Sequence, residues 1–360
     1  MKFCNWMGLQ DPCMESQPPE ARDYFLACYA VSLIQGHTIK GKYVKHSTLK
    51  AYMKEALGTF DDRGISPKSD QNFTKIVTTA HRKYESVPKR RRMVTDGMMA
   101  WLIKEADKSP PDSEIRAIVD WIVIGRNTGY RSSEWCQSSK GDYARIQNWP
   151  GRPSLAATRS DFTFLGSGER RLTHTHELTP ARATHLTCLW RSQKNGDNGQ
   201  EVTFAGDPRN PKYCIVEAVL GVYHRSRRLG TANHEPMAVY ASMGKTHRIT
   251  ARRVTWLLRE AAHHVLGLER SSPEITMWST HSIRVTAANL LHRMRLSDSY
   301  IMKRLRWNSP AFLMYLRNTI HAADAHTKAI NVKLSQADLE LASYRSPEPH
   351  EQITQSAQAA

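Results

Sequence analysis

Residues 281–318 read HSIRVTAANLLHRMRLSDSYIMKRLRWNSPAFLMYLRN, and apolar side chains recur in them at intervals of three and four positions. This spacing predicts three successive helices, at residues 281–294, 297–306 and 309–319. The third helix has a clear start, because serine followed by proline is typical of the cap and first position of a helix. We therefore expect a helical stretch with short turns between its helices.

Four side chains in this stretch could take part in chemistry. His281 and Arg284 lie one helical turn apart and share a face of the first helix. The side chains expected on the core side of that helix are Ala287, Leu291 and Met294. Trp307 follows the second helix, and Tyr315 lies on the third. Taken singly, His281, Trp307 and Tyr315 are each more often a buried or packing residue than a catalytic one, and a histidine three positions before an arginine is a weak signal.

A second group of polar residues lies far upstream, in residues 128–134, TGYRSSE. It follows a predicted helix that Ser113 caps, and Gly129 supplies the turn that ends this helix. Arg131 and Glu134 are one helical turn apart, so the carboxylate can hold the guanidinium in place. Alone, such a pair is most often an ordinary surface ion pair.

The composition narrows the class of protein. The 360 residues carry a formal net charge of +17, an excess that attracts polyanions, so nucleic acid is the leading partner. Hydrophobic residues make up 40%, and no apolar run approaches the ~20 residues of a membrane span. The first residues also lack the apolar stretch of a signal peptide, which favours a soluble intracellular protein.

Metal binding and disulfide bonds are not expected. The six cysteines are widely spread without a CxxC pair, which favours reduced thiols and argues against a zinc ribbon. His174, His176 and Glu177 could suggest a metal site, but their spacing fits strand alternation better. We predict no metal and no cofactor.

The length suits two domains, and composition suggests where they meet. Residues 21–87 are expected to form a small helical domain, in which Ser47 or Thr48 caps the second helix. A basic linker at residues 88–93 separates it from a larger domain at residues 94–330, whose first helix Thr95 caps. Residues 1–20 are expected to be disordered, and residues 331–360 to form a polar tail.

The larger domain changes character between residues 159 and 205. The segments DFTFL, THLTCLW and EVTF favour strands, and the last two flank a cluster of turn residues at 195–199 that can close a hairpin. Helical patterns resume at residues 212–229 and 250–266, each followed by a glycine suited to a C-cap. The expected fold is mainly α with a small antiparallel β-sheet, an α+β fold.

In this order, the two polar groups resemble the arginine boxes of the tyrosine recombinases. TGYRSSEW is similar to the first box, and residues 281–318 are similar to the second. The likeness covers roughly residues 20–330, because the helical first domain is also similar to the family's core-binding domain. The run WNSPAFLMYLRN looks closest to Cre-like enzymes and to those of DIRS-like and Crypton mobile elements.

The resemblance implies that DNA strands are cut and rejoined through a 3′-phosphotyrosyl intermediate. Tyr315 would be the nucleophile, although it follows Trp307 by eight positions, one fewer than in many family members. Tyr300 is the alternative nucleophile, and we prefer Tyr315. Arg131, supported by Glu134, would grip non-bridging phosphate oxygens, because a guanidinium fork matches their geometry.

The remaining catalytic positions follow from the same resemblance. Arg284 would be the second phosphate-binding arginine, and His281 would accept or relay the phenolic proton. The indole N–H of Trp307 would donate to the phosphate. The family's general acid is a lysine on the β-hairpin, for which Lys194 is our choice and Lys212 the alternative.

The expected partner is double-stranded DNA, held in a clamp of two domains. The predicted DNA-binding residues are Lys89, Arg90, Arg91, Arg92, Arg248 and Arg252. Strand exchange implies a homo-oligomer, a dimer to tetramer, with residues 321–334 as a candidate docking helix. The protein would act in the nucleus of a eukaryote, or in the cytoplasm and nucleoid of a bacterium. Two alternatives stay open: a type IB topoisomerase, and a DNA-binding regulator that no longer cuts.

Overall fold

The computed structural model describes residues 13–37, 43–85, 90–136, 156–191 and 198–309, with single residues at 4, 7, 8, 10, 11, 193, 313, 314, 316 and 327. The chain divides into two compact units, Met1–Lys89 and Arg90–Ala360. Within the described residues there are nine α-helices, a four-stranded antiparallel sheet and a two-stranded hairpin. The predicted fold class, mainly α with a small antiparallel sheet, is confirmed.

The first unit contains the helices α1 (Pro19–Ile34), α2 (His46–Asp61) and α3 (Phe73–Tyr84). Buried apolar side chains of α1 and α2 form one core with Cys13, and Val77 of α3 packs against it; the core consists of Cys13, Leu26, Ala30, Leu33, Leu49, Met53 and Phe60. Cys13 is only 1% exposed in this core. The folded unit therefore reaches further toward the N-terminus than the predicted disordered segment of residues 1–20 allows.

The start of α3 is held by a side chain from another helix. Asn72, at the cap position, makes no side-chain cap, and Asp23 on α1 accepts hydrogen bonds from the backbone N–H groups of Phe73 and Thr74 at 2.7 and 3.1 Å. Burial alone raises the pKa of Asp23, but hydrogen bonds, first of all from Thr74, outweigh it and leave the pKa lowered. Asp23 therefore stabilises α3 as a charged carboxylate.

The described part of the second unit contains α4 (Asp96–Asp107), α5 (Glu114–Thr128), α6 (Ile215–Arg228), α7 (Ala251–Leu266), α8 (Thr280–Arg293) and α9 (Asp298–Leu305). The predicted caps of α4 and α5 are confirmed. Thr95 Oγ1 accepts a hydrogen bond from the N–H of Met98 at 3.2 Å, and Ser113 Oγ accepts one from the N–H of Arg116 at 3.3 Å.

Two predictions about helix ends are wrong. α2 begins at His46 with Lys45 at the cap position, so neither Ser47 nor Thr48 caps it. Met294 is 74% exposed rather than part of the core, because α8 ends one residue earlier and Met294 takes the C-cap position. In both cases the apolar spacing correctly predicted the helix, but the helix begins or ends at a different residue than predicted.

α5 lies at the centre of the second unit. Its side chains Ile118, Trp121 and Ile122 are fully buried, and it packs on α6 and α8. The approach to α8 is closest at Gly125, where an added Cβ would lie 2.7 Å from Cγ2 of Ile283. The absence of a side chain at this position therefore lets the end of α5 lie directly against the first turns of α8.

The sheet consists of β1 (Phe162–Leu165), β2 (Arg171–Leu172), β3 (His185–Trp190) and β4 (Gln200–Ala205), in the order β2-β1-β3-β4. All pairs are antiparallel, and Cys188 lies opposite Phe162 on one side and Val202 on the other. The three predicted strands are confirmed, as is the β3–β4 hairpin. A separate hairpin joins β5 (Val239–Ser242) to β6 (Lys245–Arg248).

Among the described residues, none of the helices combines the length and the apolar character that a bilayer crossing requires.

Candidate active site

The first arginine box lies in the turn that ends α5. Gly129 takes the left-handed C-cap conformation with φ 63°, and Arg131 becomes the cap residue of a single 3₁₀ turn, Ser132–Glu134. Glu134 Oε1 accepts a hydrogen bond from Arg131 Nη1 at 2.8 Å, and Oε2 accepts one from the Arg131 backbone N–H at 2.9 Å. The carboxylate thus fixes both the backbone and the guanidinium of Arg131, whose side chain stays 26% exposed.

The second box lies on the first turns of α8, and Arg284 connects it to two loops. Arg284 is 3% exposed. Its Nη1 donates a hydrogen bond to the carbonyl oxygen of Gly129, and its Nη2 donates one to the carbonyl oxygen of Leu305 at 3.0 Å. The guanidinium carbon lies 4.3 Å from the ring centre of Trp307. One buried arginine therefore joins the turn that carries Arg131 to the turn that carries Trp307.

Arg306 is a further member of this cluster, and sequence reasoning missed it. Its side chain is 0% exposed, and its Nη2 donates to Oε2 of Glu134 at 3.1 Å. The guanidinium carbon also lies 4.1 Å from the ring centre of Trp190 and 5.3 Å from that of Tyr130. The only signal in the sequence was a basic residue next to Trp307, which is unremarkable in a chain of net charge +17.

The electrostatics of Glu134 depend on its two arginines. Burial alone raises the pKa of Glu134, but the charge of Arg306 and hydrogen bonds from Arg306 and Arg131 outweigh it, so the pKa is lowered. Burial lowers the pKa of Arg306, and the charge of Glu134 opposes this effect. Because a guanidinium does not lose its proton in proteins, the Glu134 carboxylate contacts two positive charges, those of Arg131 and Arg306.

His281 lies one turn before Arg284 and is partly buried. Burial lowers the pKa of His281 below its ordinary value of 6.5, and the positive charges of Arg284 and Arg91 lower it further. The imidazole is therefore mainly neutral at pH 7, the state that can accept a proton. Arg91, predicted from sequence as a DNA contact, lies near this site because its Nη1 donates to the carbonyl oxygen of Thr276, just before α8.

Three predicted site residues, Tyr315, Lys194 and Lys89, lie outside the described residues. Residues 321–334 do too, apart from Thr327. Leu316 is described, and it packs against the cluster of α8 and α9 side chains that includes Trp307. The alternative nucleophile, Tyr300, lies on α9 and is 45% exposed.

The alternative general acid, Lys212, is tied to the end of α4. Its Nζ forms a salt bridge with Asp107 at 2.5 Å. Arg116 also pairs with Asp107, at 3.3 Å. Lys212 therefore belongs to a charge network of α4 and α5, and no hydrogen bond of the described residues joins it to Arg131 or Arg284.

The arginines predicted to bind DNA differ in exposure. Arg90, Arg92 and Arg252 are exposed, while Arg248 is half-buried at the end of β6. Arg92 lies with its guanidinium carbon 5.5 Å from the ring centre of Trp278, the residue at the C-cap of the turn before α8. The exposed arginines are thus carried by two segments of the second unit, the segment before α4 and the first turn of α7.

The histidine-rich segment is not a strand. His174 precedes a 3₁₀ turn, Thr175–Glu177, and Glu177 accepts a hydrogen bond from the backbone N–H of His174 at 3.2 Å. The predicted strand alternation is therefore wrong at this point, since the glutamate closes a local turn. Among the described residues, no group of three or more His, Cys, Asp or Glu side chains is arranged to hold a metal ion.

The cysteines are free thiols. Burial raises the pKa of Cys136, which follows the first arginine box, to about 12. Burial likewise raises the pKa of Cys188 in the sheet. Both remain protonated at neutral pH and are poor nucleophiles.

Comparison with solved structures finds integrases and recombinases. The Tn1549 transposon integrase, solved with transposon right-end DNA, is 14% identical, with 86% of this chain and 85% of that chain covered and a TM-score of 0.48. A lambda integrase dimer bound to a core site is 14% identical, with 88% and 85% covered and a TM-score of 0.46. The recombinase XerH on a palindromic difH substrate is 16% identical, with 84% and 69% covered and a TM-score of 0.46.

These solved structures are thus two integrases and one site-specific recombinase. A scan of protein-family models and a search of curated proteins each gave no match. The identities of 14% to 16% and the TM-scores of 0.46 to 0.48 carry no argument about the activity of this chain.

Proposed function

We propose that this protein is a tyrosine recombinase that cuts and rejoins double-stranded DNA through Tyr315. The observation that carries the proposal is the pair of hydrogen bonds from Arg284 to the carbonyl oxygens of Gly129 and Leu305. They join two groups of polar residues 155 positions apart into one cluster with Arg131 and Trp307. A net charge of +17 supports a polyanionic substrate.

Neutralisation of the phosphate is the first requirement of cleavage without a metal. Negative charge grows on the non-bridging oxygens in the transition state, and a fixed guanidinium stabilises it better than water does. Arg131 suits this role because its side chain is 26% exposed, while Glu134 accepts hydrogen bonds from both its backbone N–H and its guanidinium. Arg284, which is buried, adds positive charge and holds in place the two turns that carry Arg131 and Trp307.

In the proposed reaction the phenolic oxygen of Tyr315 attacks the phosphorus atom. The bond from phosphorus to the 5′-oxygen breaks, so a 3′-phosphotyrosyl ester forms and a 5′-hydroxyl is released. The phenolic proton passes to neutral His281, and the departing oxygen takes a proton from Lys194. Rejoining reverses each transfer, and because the ester conserves the energy of the broken bond, no ATP is needed.

The proposal is tested by trapping the covalent intermediate. Candidate target sites come from the DNA flanking the gene, where inverted or split direct repeats mark the ends of a mobile element. Each duplex carries a nick just 3′ of the expected cut, so that the short 5′-hydroxyl product diffuses away and the adduct accumulates. The cleaved strand is labelled at its 5′ end, because the 5′ fragment stays attached to the tyrosine through its 3′-phosphate.

We expect an SDS-resistant labelled adduct with the wild type and none with Tyr315→Phe. Tyr300→Phe is the matched control, because this tyrosine on α9 is 45% exposed, and it should leave the adduct yield unchanged. An equal yield from Tyr315→Phe refutes the assignment of the nucleophile. If Tyr300→Phe forms no adduct while Tyr315→Phe still does, Tyr300 is the nucleophile.

Two other outcomes would identify the alternative functions. Relaxation of a supercoiled plasmid without the target site, by protein that stays monomeric in sedimentation, would indicate a type IB topoisomerase. Specific duplex binding without any adduct would indicate a DNA-binding regulator. The proposed recombinase should instead bind as a dimer on one site and as a tetramer on two paired sites.

A further inference from the structure

Arg306 combines a strained backbone with a buried charge. It is the C-cap of α9 in the left-handed conformation, with φ 58° and ψ 57°, and its side chain is 0% exposed. A glycine would end the helix here without steric cost, whereas a residue with a Cβ is strained. Burial of a guanidinium adds a desolvation cost. The geometry of the turn therefore does not explain why an arginine occupies this position, and the reason lies in the contacts of its side chain.

The side chain acts on Glu134. Each carboxylate oxygen of Glu134 accepts from both arginines: Oε1 from Arg131 Nη1 at 2.8 Å and from Arg306 Nη1 at 3.4 Å, and Oε2 from the Arg131 backbone N–H at 2.9 Å and from Arg306 Nη2 at 3.1 Å. The rings of Trp190 and Tyr130 lie against the Arg306 guanidinium, with ring centres 4.1 and 5.3 Å from its carbon atom. Glu134 is thus gripped from two sides and cannot rotate away from Arg131.

We propose that Arg306 is a positioning residue, which clamps Glu134 and thereby fixes the phosphate-binding guanidinium of Arg131. The catalytic part of this inference rests on the proposed function. Arg306 lies between Leu305, whose carbonyl oxygen accepts from Arg284, and Trp307. The turn after α9 is therefore linked to the first arginine box through Arg306 as well as through Arg284, so the two boxes move as one body.

The charge of Arg306 also keeps Glu134 ionised in a buried position. Without it, burial would raise the pKa of Glu134, and Arg131 alone would oppose that effect. The other charged groups that line the small cavity beside Glu134 are Asp161 and Arg191, and they pair with each other at 2.9 Å. Loss of the Arg306 charge should therefore make the site sensitive to acid.

The test compares Arg306→Met, which keeps the volume, with Arg306→Lys, which keeps the charge. The readouts are the rate of adduct formation at saturating nicked duplex and the Kd for the duplex, from about pH 5 to pH 8. We expect Arg306→Met to slow adduct formation by about tenfold or more, because misplacement of a catalytic group is costly. Its Kd should change less than about twofold, since a buried guanidinium cannot contact DNA.

The pH profile separates positioning from general damage to the fold. The ratio of wild-type to Arg306→Met rates should fall as the pH rises and Glu134 regains its charge. Arg306→Lys should restore the wild-type profile and most of the rate. Arg270→Met, at an exposed ion pair with Glu260, should leave rate and Kd unchanged. A wild-type rate in Arg306→Met, or a loss that is independent of pH and not rescued by Arg306→Lys, overturns the proposal.

A second readout does not depend on catalysis. Urea unfolding of the wild type, Arg306→Met, Glu134→Gln and the double variant gives the coupling between the two residues. We expect roughly a tenfold coupling in the unfolding constant, against little or none for the same cycle at Arg270 and Glu260. If the wild type forms no adduct, the proposed function fails, and this cycle alone decides whether Arg306 clamps Glu134: equal coupling in the two cycles overturns the clamp.

Discussion

Replacement of Glu134 by glutamine should destabilise the second unit strongly. The change keeps the shape of the side chain but removes the charge that two guanidinium groups share, and it turns an NH₂ group toward one of them. Arg306 then keeps a full positive charge at 0% side-chain exposure without a counter-ion. Loss of one partner of a buried ion pair costs about 3 to 5 kcal/mol, and we expect at least ~3 kcal/mol here.

Urea unfolding near pH 7.5, followed by tryptophan fluorescence, measures this loss. Of the nine tryptophans only Trp6 precedes residue 90, so the signal reports on the second unit. With an m-value of about 2 to 3 kcal/mol per molar urea, the midpoint should fall by roughly 1 M or more. Glu105→Gln is the matched control, since its pair with Lys108 is exposed and should contribute less than about 1 kcal/mol.

The pH dependence gives a further check on Glu134. Its folded pKa lies below the ordinary value of 4.5, so its contribution is fully present above that value and is lost as the pH falls through the folded pKa. The difference in unfolding free energy between wild type and Glu134→Gln should therefore be constant from about pH 8 to pH 6 and shrink in stronger acid. A loss at neutral pH no larger than that of Glu105→Gln would refute the reasoning.

Four further outcomes are expected. Gly125→Ala should destabilise the second unit by about 1 to 3 kcal/mol in urea unfolding, because the new Cβ would lie 2.7 Å from Cγ2 of Ile283. Gly58→Ala should instead stabilise α2 by about 0.5 to 1 kcal/mol, because a Cβ at this position would have no other atom within 4 Å. The pKa of His281 is lowered below 6.5, so its contribution to the free energy of unfolding is complete above pH 6.5 and is lost below it. Relative to His281→Gln, the wild type should therefore lose stability in urea unfolding as the pH falls from about 8 to 5.5. Arg252→Ala removes an exposed charge on α7, so in filter binding the slope of log Kd against log salt should fall by about 1; an unchanged slope would exclude a phosphate contact there.

Local features of the fold could be predicted from sequence because the responsible contacts span only a few residues. Thr95 and Ser113 cap their helices through N–H groups three positions along the chain, and the Arg131–Glu134 contact has the same spacing. The strands followed from short segments of β-rich composition and from the cluster of turn residues at 195–199. Such contacts do not depend on how the helices pack, so the local sequence pattern was enough to predict them.

The clamp around Glu134 could not be predicted because it depends on tertiary packing. Glu134 and Arg306 are 172 positions apart, and nothing in the local pattern distinguishes Arg306 from the neighbouring basic residues. The role of Arg284 was anticipated in part. Its place in the site was expected, but its hydrogen bond to Gly129 depends on the packing of α5 on α8, and its hydrogen bond to Leu305 depends on the packing of α9 on α8.

The carboxylate of Asp23 has a consequence for how the first unit can be shortened. Since it supplies the missing cap of α3 from a position 50 residues earlier in the chain, neither helix is an independent module. A chain trimmed to start after α1 would leave the first amides of α3 open to water and its end frayed. Because the pKa of Asp23 lies below the ordinary value of 3.8, only strong acid should protonate it and loosen the same junction, with an effect like that of the truncation.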